Sequence, residues 1–553
     1  MPVALYAQPA DTVRIQVDLT KEVGPMRPVW AWFGYDEPNY TYMKDGRKLL
    51  SEIAALSPVT VQVRAHNLLT TGDGEAALKW GSTNAYTEDK RGRPVYDWTL
   101  VDSIFDTYLE RGMRPFAQIG FMPEALSTKP QPYRHHFTPD QKYGTIFTGW
   151  AYPPKSYKKW AKLVHAWVQH CMERYGEEEV LQWYWELWNE PNIDYWMGTT
   201  EEYIKLYDYT ADAVKRALPN ARIGGPEVTG PGWDKSADFL RTFLEHCARG
   251  KNYATGETGA PLDFITFHAK GAPKIVEDAS GKGYVQMNLG QQLRDIDKGF
   301  EIVASFPEWK DLPIIIGESD PEGCAACSVE FNPQNAYRNG TMYSSYTAAA
   351  FARKYALADH YGVNFEGAVT WAFEFENQPW FAGFRDLATN GVDKPVLNVF
   401  RMYGLMAGQR VQVGGDLAYD AMAVRDSSIR EADDINALAA KDERTATVMV
   451  WNYHDDNLPA PDAPVTVEIT GLPGGNLLME HYRIDQEHSN AYTLWQAMGS
   501  PQNPAPEQIT ELEAAGQLTL LTSPEWVKAK DGKVSVKMQL PRQGVSLLRF
   551  SWK

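Results

Sequence analysis

From residue 28 to residue 373, short apolar runs alternate with longer stretches of helical periodicity. The runs are PVWAWFG (28–34), VTVQVR (59–64), RPFAQIG (114–120), QWYWELW (182–188), ARIGG (221–225), DFITFH (263–268), PIIIG (313–317) and GAVTWAF (367–373). Between them lie segments such as TLVDSIFDTYLERG (99–112), SYKKWAKLVHAWVQHCMERYG (156–176) and TEEYIKLYDYTADAVKRALP (200–219), with helix-type periodicity. Eight strands, each followed by a crossover, predict an α/β fold, a (β/α)8 TIM barrel over residues 22–400. An open doubly wound sheet would want a Gly-rich phosphate turn after the first strand, and none is present. After KPVLNVFRMYGLM (394–406) the pattern changes to alternating runs with turn residues between them: RTATVMVWNYHDD (444–456), APVTVEITGLPGG (463–475), NLLMEHYRID (476–485) and GKVSVKMQLPRQGVSLLRFSW (532–552). That alternation predicts a C-terminal β-sandwich. DTVRIQVDLT (11–20) alternates in the same way, so residues 1–21 are grouped with 401–553 in that domain.

Composition narrows the partners. At 553 residues the chain exceeds one compact core. A net charge of −17 argues against nucleic acid or an anionic membrane surface. No apolar run reaches the length of about 18 residues that spans a bilayer. Tryptophan (19) and tyrosine (29) are plentiful, and their faces suit the C–H faces of sugar rings. The opening MPVALYAQPADTV lacks the basic n-region and full apolar h-region of a signal peptide. ALYAQ is either the trimmed end of one, for a periplasmic or secreted protein, or an ordinary terminus, for a cytoplasmic one. Four cysteines make no disulfide scaffold. Cys171 and Cys247 read as buried thiols. Cys324 and Cys327 form a CxxC with no second pair or nearby His to complete a zinc set, so a local loop feature is expected, its disulfide state open.

In this fold the functional side chains gather at the C-terminal ends of the strands. Those ends offer Trp32, Tyr35, Arg64, His66, Asn189, Glu190, His268, Lys270, Glu318, Trp371, Glu374 and Glu376. In WYWELWNEPN (183–192), Pro191 cannot donate to a ladder, so the strand is expected to stop at Glu190, beside Asn189 and several indoles. Apolar surroundings favour the protonated form of such a carboxyl group. Glu318 ends the seventh strand, which a closed barrel places across from the fourth. Two opposed carboxyl groups are what glycosidic bond cleavage needs: one protonates the leaving oxygen, the other attacks the anomeric carbon or activates water. Any one of these residues alone has a plain structural reading, a strand-end ion pair or a hydrogen-bonded core histidine; the pair together is the argument. His135 and His136 lie in a polar loop and receive no role.

The decapeptide 183–192 resembles the acid/base motif of glycoside hydrolase family 39, Trp-x-Phe-Glu-x-Trp-Asn-Glu-Pro-(Asp or Asn), departing from it at Trp185. The likeness continues through RAHNLL (64–69), GMRPFAQIGFMPEAL (112–126), IGGPE (223–227), DFITFHAKGAP (263–273), GESDPEGC (317–324) and HSNAYTLWQAMGSP (488–501). It implies Glu190 as general acid/base, Glu318 as nucleophile, and Asn189 as the ligand of the substrate 2-hydroxyl. By the same likeness, His66, His268 and Trp371 line the glycone subsite, and Glu376 accepts a sugar hydroxyl. Lys270 and Arg385 match a carboxylate-binding pair of the iduronidases in that family. In a bacterial branch described as β-xylosidases, which the text around 317–386 also resembles, Lys270 instead orients Glu318. The implied activity is retaining, exo-acting release of β-D-xylose from xylo-oligosaccharides, without cofactor or metal. The alternatives are a uronate-active enzyme, an arabinofuranosidase, and, in another class, a non-catalytic carbohydrate binder. Oligomeric state stays open, a homo-oligomer included.

Overall fold

The computed structural model describes residues 12–137 and 148–553; the ALYAQ segment lies outside them. All eight expected runs form parallel barrel strands, in chain order Trp32–Tyr35, Gln62–Ala65, Arg114–Ile119, Tyr184–Leu187, Arg222–Val228, Phe264–His268, Ile314–Glu318 and a divided eighth, Phe365–Ala368 with Thr370–Trp371. The division closes the barrel. The first half of the eighth strand pairs with the seventh (Ile316 opposite Ala368), the second half with the first strand (Trp371 opposite Gly34). Helices Lys44–Leu56, Thr99–Leu109, Tyr157–Tyr175, Thr200–Ala217, Asp234–Arg249, Leu289–Ala304, Thr341–Tyr361 and Pro395–Gly404 follow the strands in turn. Their boundaries carry ordinary chemistry. Ser156 accepts from the N–H of Lys159, and Thr199 and Glu202 complete a capping box. Among the described residues, no helix is long and apolar enough to cross a membrane.

Two-residue alternation builds the barrel interior in layers. Trp32, Phe116, Tyr184 and Phe264 point inward and meet edge to face, with ring centroids 5.1–5.9 Å apart. One step further along the strands the inward positions are Arg64, Gln118, Glu186 and Thr266, all fully buried. The aromatic floor thus gives way to a charged layer directly beneath the strand ends. The alternation also corrects one expectation. Trp183 and Trp185 face outward, and Trp185 meets Trp167 of the third helix at 5.3 Å. Trp188 packs on Phe121 and Trp196. The indoles of the decapeptide are scaffold. The fourth strand itself ends at Leu187, because Trp188 (φ 70°) and Glu190 (φ 44°) turn into the left-handed region.

The C-terminal strands join the N-terminal strand Val13–Pro25 in one nine-stranded hydrogen-bonded sheet. Val13–Pro25 pairs antiparallel with Gln409–Gly415 and parallel with Ala463–Thr470. The strand therefore continues past residue 22, with shifts of register between Asp18 and Glu22 and between Glu22 and Gly24. A second core of Ile15, Val17, Val448, Val450, Val467 and Phe550 lies within this sheet region. Strand Thr445–Tyr453 is buried on both faces: Val448 and Val450 enter that core, whereas Met449, Trp451 and Tyr453 enter the barrel's. Asp434 ties the two together, 2.7 Å from Arg353 and from the indole N–H of Trp451.

Candidate active site

Glu190 and Glu318 stand at the same end of the barrel, both against one nitrogen of the same imidazole. Nδ1 of His268 is 2.9 Å from Oε1 of Glu190 and 3.8 Å from Oε2 of Glu318. Those two oxygens are thus separated by no more than the sum of the two distances. Glu190 is the more accessible, with 14% side-chain exposure against 6% for Glu318. The backbone N–H of Glu190 donates to the carbonyl of Glu227 at 2.8 Å, which pins its left-handed conformation.

Glu318 stands against two cations and an imidazole. Lys270 Nζ lies 2.7 Å from Oε2, and Arg64 Nη1 lies 3.7 Å and His66 Nε2 3.6 Å from Oε1. Burial alone would push this carboxyl up. Lys270, His268, His66 and Arg64 outweigh it and hold Glu318 well below the usual carboxylate range. His66 donates from Nδ1 to Asp36 (2.7 Å) and accepts at Nε2 from Arg64 Nη1 (3.0 Å), which assigns the tautomer. Burial, with Arg64 adding to it, lowers His66. His268 is the opposite case. Burial disfavours its cation, yet Glu318 and Glu227 raise it to about 9.

Arg64 organises the layer below. It donates through Nε to Glu186 (2.6 Å) and through Nη2 to Oδ1 of Asn189 (3.2 Å), which leaves the Asn189 amide nitrogen as its donor. The Trp371 ring lies 4.4 Å from the His66 ring and under the Arg64 guanidinium, and a Cβ at Gly34 would overlap it. Asn189, Glu190, His66, His268, Lys270, Glu318 and Trp371 therefore form one connected constellation.

Arg385 joins it only from the side of Trp371 and Asp320, and Glu376 is engaged elsewhere. Arg385 is fully buried behind Trp371. It donates through Nε to the Trp371 carbonyl (2.6 Å) and lies 3.8 Å from Asp320. Glu376 accepts from the backbone N–H of Asp45, at the start of the first helix. Lys270 is shared as well, contacting Asp320 at 3.0 Å.

Sequence reasoning missed Asp36, Lys79, Glu186, Glu227 and Asp320. Lys79 donates to Asp36 at 2.9 Å, and Asp36 is held near 2 because Lys79 and His66 outweigh burial. Asp36 and Asp320 sit one or two positions past strand ends and were within reach of the strand-end rule. Lys79 lies on an irregular segment that no periodicity marks. Cys324 and Cys327 are disulfide-bonded. Among the described residues, Asp73, His135 and His136 are a grouping able to offer metal ligands; both imidazoles contact Oδ2 of Asp73, outside the constellation above.

A family model described as "Glycosyl hydrolases family 39" matches residues 13–528. A "Beta-xylosidase" of Caldicellulosiruptor saccharolyticus is 27% identical over 433 residues, covering 76% of this chain and 76% of that protein. An "Alpha-L-iduronidase" of Mus musculus is 25% identical over 549 residues, covering 92% and 76%. Among solved structures, the GH39 enzyme from Xanthomonas axonopodis pv. citri superposes with a TM-score of 0.73 at 24% identity, covering 100% of this chain and 99% of that one.

Proposed function

Because the chain belongs to glycosyl hydrolases family 39, we propose that it is a retaining, exo-acting β-xylosidase that releases β-D-xylose from the non-reducing end of xylo-oligosaccharides. The observation that carries this reading is the pair of carboxyl groups sharing one imidazole nitrogen. Retaining glycosidases hold their carboxyls about 5–5.5 Å apart, and a shared contact to Nδ1 of His268 suits that close spacing. Glu318, ionised by its cations, attacks the anomeric carbon while Glu190 gives its proton to the departing glycosidic oxygen. The C–O bond to the aglycone breaks as the ester to Glu318 forms. Glu190, now a carboxylate, takes a proton from water, which displaces Glu318 and releases xylose with its configuration retained. Asn189, with its carbonyl oxygen on Arg64, presents N–H groups to the 2-hydroxyl.

Two observations favour a neutral pentose over a uronate. Lys270 is engaged by Glu318 and Asp320, and Arg385 is buried behind Trp371, so neither offers a free cation to a C5 carboxylate. The similar coverage of an iduronidase keeps the uronate reading as the second one. We read the sheet region, Val13–Pro25 with the strands from Gln409 onward, as an accessory β-sandwich on a catalytic barrel that runs from Trp32 to Gly404.

Aryl xyloside, arabinofuranoside and iduronide tested side by side decide the glycone; preference for the iduronide overturns the xylosidase reading. Glu318→Ala is expected to lose turnover by orders of magnitude and regain part of it with azide, as an α-glycosyl azide. Glu190→Ala is expected to lose about 10²–10⁴-fold on substrates with poor leaving groups and far less on activated aryl xylosides. An inverted product, or indifference to both changes, sinks the mechanism.

A further inference from the structure

Behind the imidazole shared by the two carboxyl groups lies a third one, fully buried, which the hydrolysis outlined above does not use. Glu227 belongs to strand Arg222–Val228 at a break in register: Pro226 pairs with Thr266, and Val228 with the very next residue, Phe267. The extra residue is Glu227, in the left-handed region at φ 56°. A bulge of this kind re-aims a side chain at the cost of local pairing. Here the main chain is satisfied in a telling way. The N–H of Glu227 donates to Oγ1 of Thr266 (3.2 Å), and its carbonyl accepts from the N–H of Glu190 (2.8 Å).

The re-aimed side chain enters the charged layer. Oε2 lies 2.8 Å from Nε2 of His268, and Oε1 lies 3.4 Å from Nε of Arg64. A Cβ on Gly317, the residue before Glu318, would overlap this carboxylate, so the seventh strand is shaped to admit it. Glu227 therefore reaches Glu190 by two routes, through its own carbonyl and through His268.

We propose that Glu227 is a positioning residue for the acid/base step, an ion-pair partner at Nε2 that keeps the His268 imidazole in its cationic form while Nδ1 faces Glu190 and Glu318. This rests on the reading of Glu190 as acid/base and Glu318 as nucleophile. Glu227 stands 2.8 Å from Nε2 as an ion-pair partner, Nδ1 hydrogen-bonds Glu190 at 2.9 Å, and the positive charge of the ring stabilises the carboxylate that Glu190 becomes when its proton leaves. Glu190 and Glu318 face His268 at Nδ1, and Glu227 faces it at Nε2. Glu186 and Arg64 lie behind Glu227, and Lys270 lies across Glu318. Burial raises Glu186 well above the carboxylate range, whereas Arg64 and His268 outweigh burial at Glu227 and hold it near 2, so the negative charge sits on the member of the pair that touches His268.

Glu227→Gln keeps the shape and removes the charge. The variant is expected to lose at least about tenfold in kcat/KM on an aryl xyloside, chiefly in kcat, with the alkaline limb of the pH profile, set by Glu190, moved up by about one unit or more, because Glu190 loses part of the cation that favours its carboxylate. Independently of substrate, the His268 ring followed by ¹⁵N NMR, assigned by its absence in His268→Asn, is expected to titrate at lower pH in Glu227→Gln than in the parent. A folded Glu227→Gln with the parent's pH profile and parent-like His268 titration overturns the proposal. Should Glu227→Gln not fold, Glu227→Asp, which withdraws the charge from Nε2 but keeps it in the layer, is read by the same two measurements. A parent protein inert towards every aryl glycoside would instead remove the xylosidase reading, and the NMR titration would still decide whether Glu227 holds the charge of His268.

Discussion

Lys270 touches both Glu318 (2.7 Å) and Asp320 (3.0 Å), and two roles compete for it. As a partner of Glu318 it is first among the charges that oppose burial and keep that carboxyl ionised. Lys270→Met is then expected to raise the pKa of Glu318, so protonation silences the nucleophile at higher pH. The acid limb of kcat/KM on an aryl xyloside moves up by about one unit or more. A carboxylate receptor behaves otherwise: the acid limb stays where it was and the loss falls on uronides alone. Single residues were readable from the chain where a strand end announced them. Glu190 before Pro191, Glu318 after PIIIG, and His66 and His268 after their strands all reached the constellation. Glu186 was within the decapeptide, but its inward phase emerges only once Tyr184 is seen pointing into the floor. Glu227 was legible as letters in IGGPE and illegible as chemistry, because its direction depends on a one-residue bulge against the neighbouring strand. Arg385 and Glu376 show the converse: proximity in the chain to Trp371 does not set the direction of a side chain on an irregular loop.

Element by element, the barrel strands were recognisable because burial on both sides writes continuous apolar runs. Helix Thr341–Tyr361 obeys a different rule, being buried around most of its surface between the barrel and the sheet. Polar residues are therefore enclosed with it, among them Lys354, whose ammonium lies 3.9 Å from the centroid of the Phe351 ring. Burial drives Lys354 down to about 7, with Asp320 opposing. The sign of its effect on stability follows. The unfolded chain binds this proton below about 10.5, the folded one only below about 7, so stability falls as pH drops between those values and levels off beneath. Lys354→Met removes the penalty. It is expected to raise stability by a few kcal/mol at pH 6, on the order of 3–5, and by much less near pH 10. Urea melts at the two pH values test this; a gain equal at both, or larger at high pH, removes the buried-ammonium account.

At the scale of the whole molecule, the segment after the sheet strand Gly475–Ile484 reaches back to the barrel. Helices Ala491–Ala497 and Pro506–Ala515 enclose a small separate core in which Trp495 meets Phe381 at 4.9 Å and Tyr492 at 5.9 Å. Gln502 accepts from the N–H of Trp380 and donates to its carbonyl, and Lys48 meets Glu513 at 3.1 Å. The segment thus clamps the long loop after the eighth strand of its own chain, the loop that carries Glu376 and returns through Arg385 to the back of Trp371. Trp495→Ala strips the centre from that core. Truncating a buried tryptophan costs about 3–5 kcal/mol, and here the cost falls on a local contact, so loosening of the loop is expected before global unfolding. Limited proteolysis is the direct reading: the variant is expected to be nicked first between residues 376 and 392, with the barrel resistant. The same variant is expected to lose several-fold in kcat/KM on xylo-oligosaccharides, because Trp371 and the groups stacked on it are held in part through Arg385. Cleavage sites and kinetics matching the parent would show that the loop stands without its clamp, and that the C-terminal segment contributes nothing to the shape of the active site.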